Sequence, residues 1–172
     1  MIELLRTRRS IRAFQDRPVA PEHLTLLEEA LLRAPSSRNS RPCRFVLVQD
    51  APTRQALAVA KPGGGRFLAD APLNIVIHGD PELSDVYVED CSIAAILVQL
   101  QAHAMGLGSC WVQIRNRRHD ASGDASSHVL RLLGLPARLE VVAIIGVGYP
   151  AEDKPGWRPE QLDPERVVRL ES

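Results

Sequence analysis

Between residues 91 and 104 this chain is apolar on nearly every side of a helix: Ile93, Ala94, Ala95, Ile96, Leu97, Val98, Leu100 and Ala102 leave no polar stripe. A surface helix of a globular protein buries one face, whereas a helix apolar all round has to be covered all round. With its lead-in from 84 and its end at 105, this is the longest helical candidate in the chain. Gly106 behind it can take the left-handed backbone that closes a helix. At 172 residues the chain is most simply one domain, 1–172, with length enough for a single core. One side of the helix is therefore expected on a sheet, and its other side against a second subunit.

The rest of the chain supplies the sheet in short pieces. A helix is expected over 2–7. Pro21 opens a second, with Glu22 in its first turn and Leu24, Leu27, Ala30, Leu31 and Ala34 at three–four spacing until Pro35. Strands are expected at 45–48, 73–77 and 110–114, a short helix at 52–60, and a loop at the breaker cluster 61–65. Residues 129–133 begin a further short helix stopped by Gly134 and Pro136. The fourth strand, 139–147, is apolar throughout and so belongs at the sheet centre. After Pro150 the long apolar runs cease, and the tail reads as an arm packing on another surface. This order of elements alone allows either α+β or α/β.

Charge narrows the function. Lys plus Arg and Asp plus Glu are 21 each, so the net charge is zero and the basic excess of a nucleic-acid binder is missing. The charge is uneven, however. Arg6, Arg8, Arg9, Arg12 and Arg17 crowd the N-terminus, Arg38, Arg41 and Arg44 form a second group, and Arg115, Arg117 and Arg118 a third. Such clusters suit a local anionic ligand, although the third reads equally well as a solvated face. No stretch approaches the roughly 18 apolar residues of a membrane span, and no secretory h-region precedes the arginines. Cys43, Cys91 and Cys110 are odd in number and far apart, giving neither a disulfide framework nor a C-x-x-C site. A cytoplasmic protein with reduced thiols is expected. His78, His103 and His119 have no Cys or carboxylate at ligand spacing, so neither a metal site nor a catalytic histidine is expected.

Four short motifs carry chemistry. Arg8, Arg9, Ser10 and Arg12 place three guanidiniums and a hydroxyl within five residues, a set matched to phosphate oxygens. Arg8 and Arg12 share a face if the helix continues through them. Pro35, Ser36, Ser37, Arg38 and Asn39 form a turn rich in hydrogen-bonding groups that can meet a polar ring edge. In Gly106-Leu107-Gly108-Ser109-Cys110-Trp111 the glycines let backbone approach a flat ligand. Gly146-Val147-Gly148-Tyr149-Pro150 is followed by Asp153, Lys154 and Arg158. It lacks the third glycine and the following helix of a dinucleotide fingerprint, and no Walker-type Gly-Lys-Ser/Thr occurs.

The order and spacing of these motifs over 8–158 resemble the nitroreductase family of flavoproteins, and Gln113-Ile114-Arg115-Asn116-Arg117 resembles a compact branch of it. The resemblance implies an α+β fold with a mixed, mostly antiparallel four- to five-stranded sheet flanked by helices, and a C-terminal arm packing on a partner subunit. It implies FMN as cofactor, bound at the interface of a homodimer. Arg8, Arg9, Ser10 and Arg12 would then meet its phosphate and ribityl chain, with Lys154 or Arg158 adding a cation. Cys110, Trp111 and Val112 would lie along the isoalloxazine, largely through backbone. Pro35, Ser36, Ser37 and Asn39 would reach in from the other subunit. Arg41-Pro42-Cys43 stands where the family often has Gln-Pro-Trp, and the long pocket insertion of larger members is absent or reduced to 62–67.

The activity so implied is an FMN-dependent oxidoreductase. It takes hydride from NAD(P)H and reduces a nitroaromatic, a quinone or a similar small acceptor by a ping-pong mechanism, with no side-chain acid or base required. The alternatives are a flavoprotein of the same fold with other chemistry, dehalogenation or flavin fragmentation, and a non-catalytic FMN-binding protein. An α/β domain whose basic groups bind another phosphate ligand, or none, is the third.

Overall fold

The computed structural model describes residues 1–121 and 123–170. Four strands, β1 Cys43–Val48, β2 Leu73–Gly79, β3 Gly108–Gln113 and β4 Glu140–Gly148, form one sheet in the order β1-β2-β4-β3, every pairing antiparallel. An isolated parallel bridge joins Ser10 to Ser109. The architecture is thus α+β, as expected, with the lower of the two strand numbers. The apolar run 139–147 is the inner strand β4, and β2 beside it is buried along its whole length.

Five helices flank the sheet: α1 Ile2–Thr7, α2 Pro21–Leu32, α3 Ala51–Ala58, α4 Tyr87–Ala104 and α5 Ala125–Leu132. On one face α4 and α2 cover Leu73, Ile75, Ile77 and Ile145. On the other, α3 and α5 cover Val76, Val141 and Ile144. Helix α5 begins four residues before the expected 129. Asp124 caps it by accepting from the Ser127 amide at 2.9 Å, a start that the polar pair Ser126 and Ser127 hides from apolar periodicity.

Helix α4 meets its requirement only on one side. Ala94, Ala95, Val98 and Ala102 are sealed against the sheet and α2, while Ile93 and Ile96 are 39% and 41% exposed in the single chain. Among the described residues, the segment after Pro150 contains two short 3-10 turns and no longer helix or strand, and its Trp157, Leu162, Val167, Val168 and Leu170 are exposed. Among the described residues no helix is long and apolar enough to cross a membrane.

Candidate functional site

The basic stretch leaves the helix at Arg8, whose backbone is extended at φ −61°, ψ 128°. Arg8 and Arg12 therefore do not share a helical face. Instead the chain runs alongside β3, where the Ile11 amide donates to the Ser109 carbonyl at 3.0 Å. Gly108 makes this approach possible, because a Cβ there would stand 2.8 Å from the Ile11 side chain. Further on, the Gln15 amide donates to the Tyr149 carbonyl at 2.9 Å and the Ala151 amide to the Ala13 carbonyl at 2.9 Å. Residues 10–15 are so held between the start of β3 and the segment that leaves β4.

This weaving brings three of the four motifs to one cavity of about 350 Å³, lined by Arg8, Arg9, Gly106, Gly108, Ser109 and Lys154, among others. Its size is that of a small-molecule site. The Lys154 Nζ donates to the Ser10 carbonyl at 3.3 Å and to the Glu152 carboxylate at 2.8 Å. Glu152 also accepts from the Arg12 amide at 2.6 Å and the Ala13 amide at 3.2 Å. The Arg12 amide above all, and then Lys154, hold its carboxyl down at about 2. Arg9 donates to the Pro155 carbonyl at 2.6 Å and lies over the Trp157 ring. The tail is pinned here because Gly156 lies against α1, where any Cβ would collide with the Arg6 carbonyl.

Thr7, His103 and Glu152 also line the cavity, and sequence reasoning missed them as site residues. Thr7 Oγ1 and His103 Nε2 are 2.8 Å apart, and burial together with Arg8 pushes the imidazole below its ordinary value. Their separation of 96 residues in the chain leaves no local signal. Glu152 follows Tyr149-Pro150 closely, but only its backbone partners distinguish it from a solvated acid.

The remaining candidates divide. Arg12 offers its amide to Glu152 and is otherwise exposed. Arg158 is exposed, its amide donating to Gln161 Oε1 at 2.9 Å within the first tail turn, and it does not line the cavity. Cys110 and Val112 are buried at 1% and 2% exposure, so only their backbone on the edge strand β3 is free to face a ligand. Burial pushes the Cys110 thiol up, against the opposing pull of Arg12, Ser10, Lys154 and Arg8. Trp111 is half-buried, with Nε1 donating to Gln113 Oε1 at 3.0 Å. Of the third basic group, Arg115 is paired with Glu140 at 2.9 Å, which favours a structural role for it.

The turn containing Pro35, Ser36, Ser37 and Asn39 lies apart from this cavity; Pro35 and Ser36 line a second one of about 270 Å³. Arg38, Asn39 and Arg41 all carry positive φ, at 50°, 54° and 50°. Such conformations cost roughly 1–3 kcal/mol each and persist only where the surroundings fix them. Here the Arg41 amide donates to Ser36 Oγ at 2.9 Å, Arg41 Nε to Asn39 Oδ1 at 2.9 Å, and the Ser37 amide to Asp90 Oδ1 at 3.0 Å.

The model of the Nitroreductase family matches residues 5–62 and 52–149. A protein of Archaeoglobus fulgidus whose name joins NADH dehydrogenase and NAD(P)H nitroreductase is 31% identical over 98% of this chain and 96% of its own. An FMN-dependent nitroreductase of Clostridium difficile superposes with a TM-score of 0.97 at 42% identity over 100% of both chains. A nitroreductase structure from Desulfovibrio desulfuricans in complex with FMN superposes with a TM-score of 0.79 at 30% identity, over 99% of this chain and 96% of that one. The chain belongs to the nitroreductase family.

Proposed function

We propose that this protein is an FMN-dependent NAD(P)H oxidoreductase whose acceptor is a nitroaromatic, a quinone or a similar small molecule. The observation that carries the reading is the convergence of Arg8, Arg9 and Lys154, from the two ends of the chain, on one cavity floored by a glycine turn. A phosphate monoester carries about −1.5 to −2 charges at neutral pH. Three cations, of which Arg9 and Lys154 are held by hydrogen bonds, against Glu152, itself already engaged, and Asp153 fit that charge. Family membership and the FMN named for two of the similar structures agree with this donor set.

FMN held there would supply hydride-transfer chemistry between NAD(P)H and the acceptor, in two half-reactions with ping-pong kinetics. The chain itself binds and orients. Arg8 and Arg9 offer planar forks to phosphate oxygens. Lys154 is held in place by Glu152 and the Ser10 carbonyl. The Gly108 position brings the backbone of β3 within reach of a flat ring, and no side-chain proton donor is needed.

We further propose a homodimer with a flavin at each interface, and one domain over 1–172. The open strip of Ile93 and Ile96 on α4 and the exposed apolar residues of the tail support a second subunit. The strained turn 35–39 supports it too, since it lies off its own chain's cavity and is free to serve its partner's. The test is the visible spectrum of freshly purified protein, with release and identification of the flavin, followed by NADH and NADPH oxidation against a nitroaromatic and a quinone. A yellow protein with about one FMN per chain and parallel-line kinetics is expected. A colourless protein that cannot be reconstituted with FMN overturns the reading.

A further inference from the structure

The second cavity holds a feature that flavin chemistry does not use. Cys43, the first residue of β1, lines it together with Ser36, Arg41, Arg44 and Asp90. Behind Cys43 lies Cys91, fully buried in α4. The Cys91 thiol donates to Cys43 Sγ at 3.1 Å, about 1 Å longer than an S–S bond. The two cysteines are 48 residues apart in sequence and are brought together because β1 packs against α4. Cys110, on β3, is the third and has its own contact with the Trp111 carbonyl at 3.6 Å.

The two thiols are unequal. Cys43 is half-buried and opens to the cavity, whereas Cys91 has no exposed surface. The bond from Cys91 holds the Cys43 thiol below its ordinary value, against the opposing effects of burial and the Asp90 carboxylate; Arg44 adds to the lowering. The same bond, burial and the charges of Cys43 and Asp90 push Cys91 up. Of two touching thiols, the one that faces a cavity and whose anion is the better stabilised is the one an oxidant meets first, and the buried thiol in contact behind it is placed to resolve the product.

We propose that Cys43 and Cys91 form an oxidisable dithiol, with Cys43 the peroxide-reactive thiol and Cys91 its resolving partner. The Cys43 thiolate attacks one oxygen of hydrogen peroxide. An S–O bond forms, the O–O bond breaks, and the departing hydroxide takes up a proton as water, leaving a sulfenic acid on Cys43. Cys91 sulfur then attacks Cys43 sulfur. The S–S bond forms, the S–O bond breaks, and the hydroxyl leaves as water with the Cys91 proton. Two thiols lose two electrons and the peroxide gains them; an external dithiol reverses the change. The resulting crosslink ties the start of β1 to α4 beside Asp90, the residue that holds the Ser37 amide. The modification therefore sits directly under the turn 35–39.

The experiment uses the full chain as purified, reduced and then freed of reductant. It is treated with graded hydrogen peroxide, quenched with catalase, denatured and alkylated with N-ethylmaleimide. Intact mass is expected to fall from three adducts per chain to one, and a non-reducing peptide map to show Cys43 joined to Cys91 within one chain. Dithiothreitol is expected to restore all three adducts. In Cys91→Ser, dimedone is expected to trap Cys43 as a sulfenic acid. Retention of three adducts across the peroxide series overturns the proposal. So does a crosslink that involves Cys110 or joins two chains, or accumulation of Cys43 sulfinic acid in the wild type with no disulfide. These readouts need neither turnover nor bound flavin, so failure here is separate from failure of the proposed oxidoreductase activity.

Discussion

Glu152 holds Lys154 across the chain's own N-terminal stretch. Its carboxylate accepts from Lys154 Nζ at 2.8 Å while accepting from the Arg12 amide at 2.6 Å, and Lys154 in turn reaches the Ser10 carbonyl at 3.3 Å. A residue just past the last strand thereby fixes the basic stretch near the first helix. The charge that lines the cavity and the fold that builds it share one carboxylate.

This carboxylate makes the fold acid-sensitive in a stated window. The Glu152 carboxyl is held at about 2, against an ordinary value of 4.5. A group whose folded value is depressed contributes stability that is fully present above the unfolded value and lost as pH falls towards the folded one. The stabilisation from Glu152 should therefore be complete above about pH 4.5 and fade between there and about pH 2. Glu152→Gln is expected to unfold more readily at pH 7 and to lose part of the steepness of the wild-type decline over that range. Urea midpoints measured at half-unit pH intervals check this, and parallel curves for the two proteins would remove Glu152 from the account.

Lys154 and Arg158 are the two tail cations the sequence leaves open, and their placements differ. Only Lys154 lines the cavity, whereas Arg158 is exposed in the following turn. A hydrogen bond to a charged group contributes about 1.5–3 kcal/mol, or about 10- to 100-fold in affinity. Lys154→Ala and Arg8→Ala are each expected to weaken FMN binding by about that factor, and Arg158→Ala by less than about threefold. Flavin fluorescence quenching on titration of the apoprotein measures all three, and an Arg158→Ala loss equal to that of Lys154→Ala would reverse the assignment.

Gly108 is a position where the backbone leaves no room for a side chain. A Cβ there would lie 2.8 Å from both Cβ and Cγ2 of Ile11, on the segment carrying Ser10 and Arg12. Overpacking of a filled site costs about 1–3 kcal/mol. Gly108→Ala should lower the melting temperature and also weaken FMN binding, since the displaced segment carries the Ser10 carbonyl that positions Lys154 and directly follows Arg8 and Arg9, which line the cavity. Adding Ile11→Ala, which relieves the collision, should restore part of both. Differential scanning fluorimetry with and without FMN reads the two effects, and a Gly108→Ala protein indistinguishable from wild type would show that residues 10–12 have slack not seen here.

How far the sequence reached depends on the range of the interaction. The inner place of β4 was legible because an unbroken apolar strand can only be buried on both faces, and α2 because Pro21, its spaced leucines and Pro35 bound it. The basic stretch was legible as chemistry, since Arg8, Arg9 and Ser10 stand together in the chain. What stayed hidden came from contacts between distant residues. Thr7 meets His103 across 96 positions and Arg12 meets Glu152 across 140, neither with a local pattern to mark it. The start of α5 was hidden for a different reason, because an Asp124 cap followed by Ser126 and Ser127 looks like a loop until the amides are seen to bond.

The open strip of α4 bears on the second subunit. Ile93 and Ile96 are 39% and 41% exposed on α4. Burying an isoleucine side chain contributes about 1.5–3 kcal/mol when burial is complete, and both residues have only the remaining fraction to gain. Two such residues on each of two chains give an apolar strip suited to association, and the tail separately exposes Trp157 and Val168. A charge at the centre of that strip would be desolvated without a partner, at a cost several times the lost apolar contact. Ile96→Glu is therefore expected to shift the protein from dimer to monomer at micromolar concentration. The single-chain fold should be preserved, because the side chain already reaches solvent there. Light scattering coupled to size exclusion gives the mass, and far-ultraviolet circular dichroism gives the fold. If the turn 35–39 serves the partner's cavity, as proposed, the monomer should also lose flavin. A wild-type monomer that retains FMN would overturn the dimer, and an Ile96→Glu dimer would place the interface elsewhere on the chain.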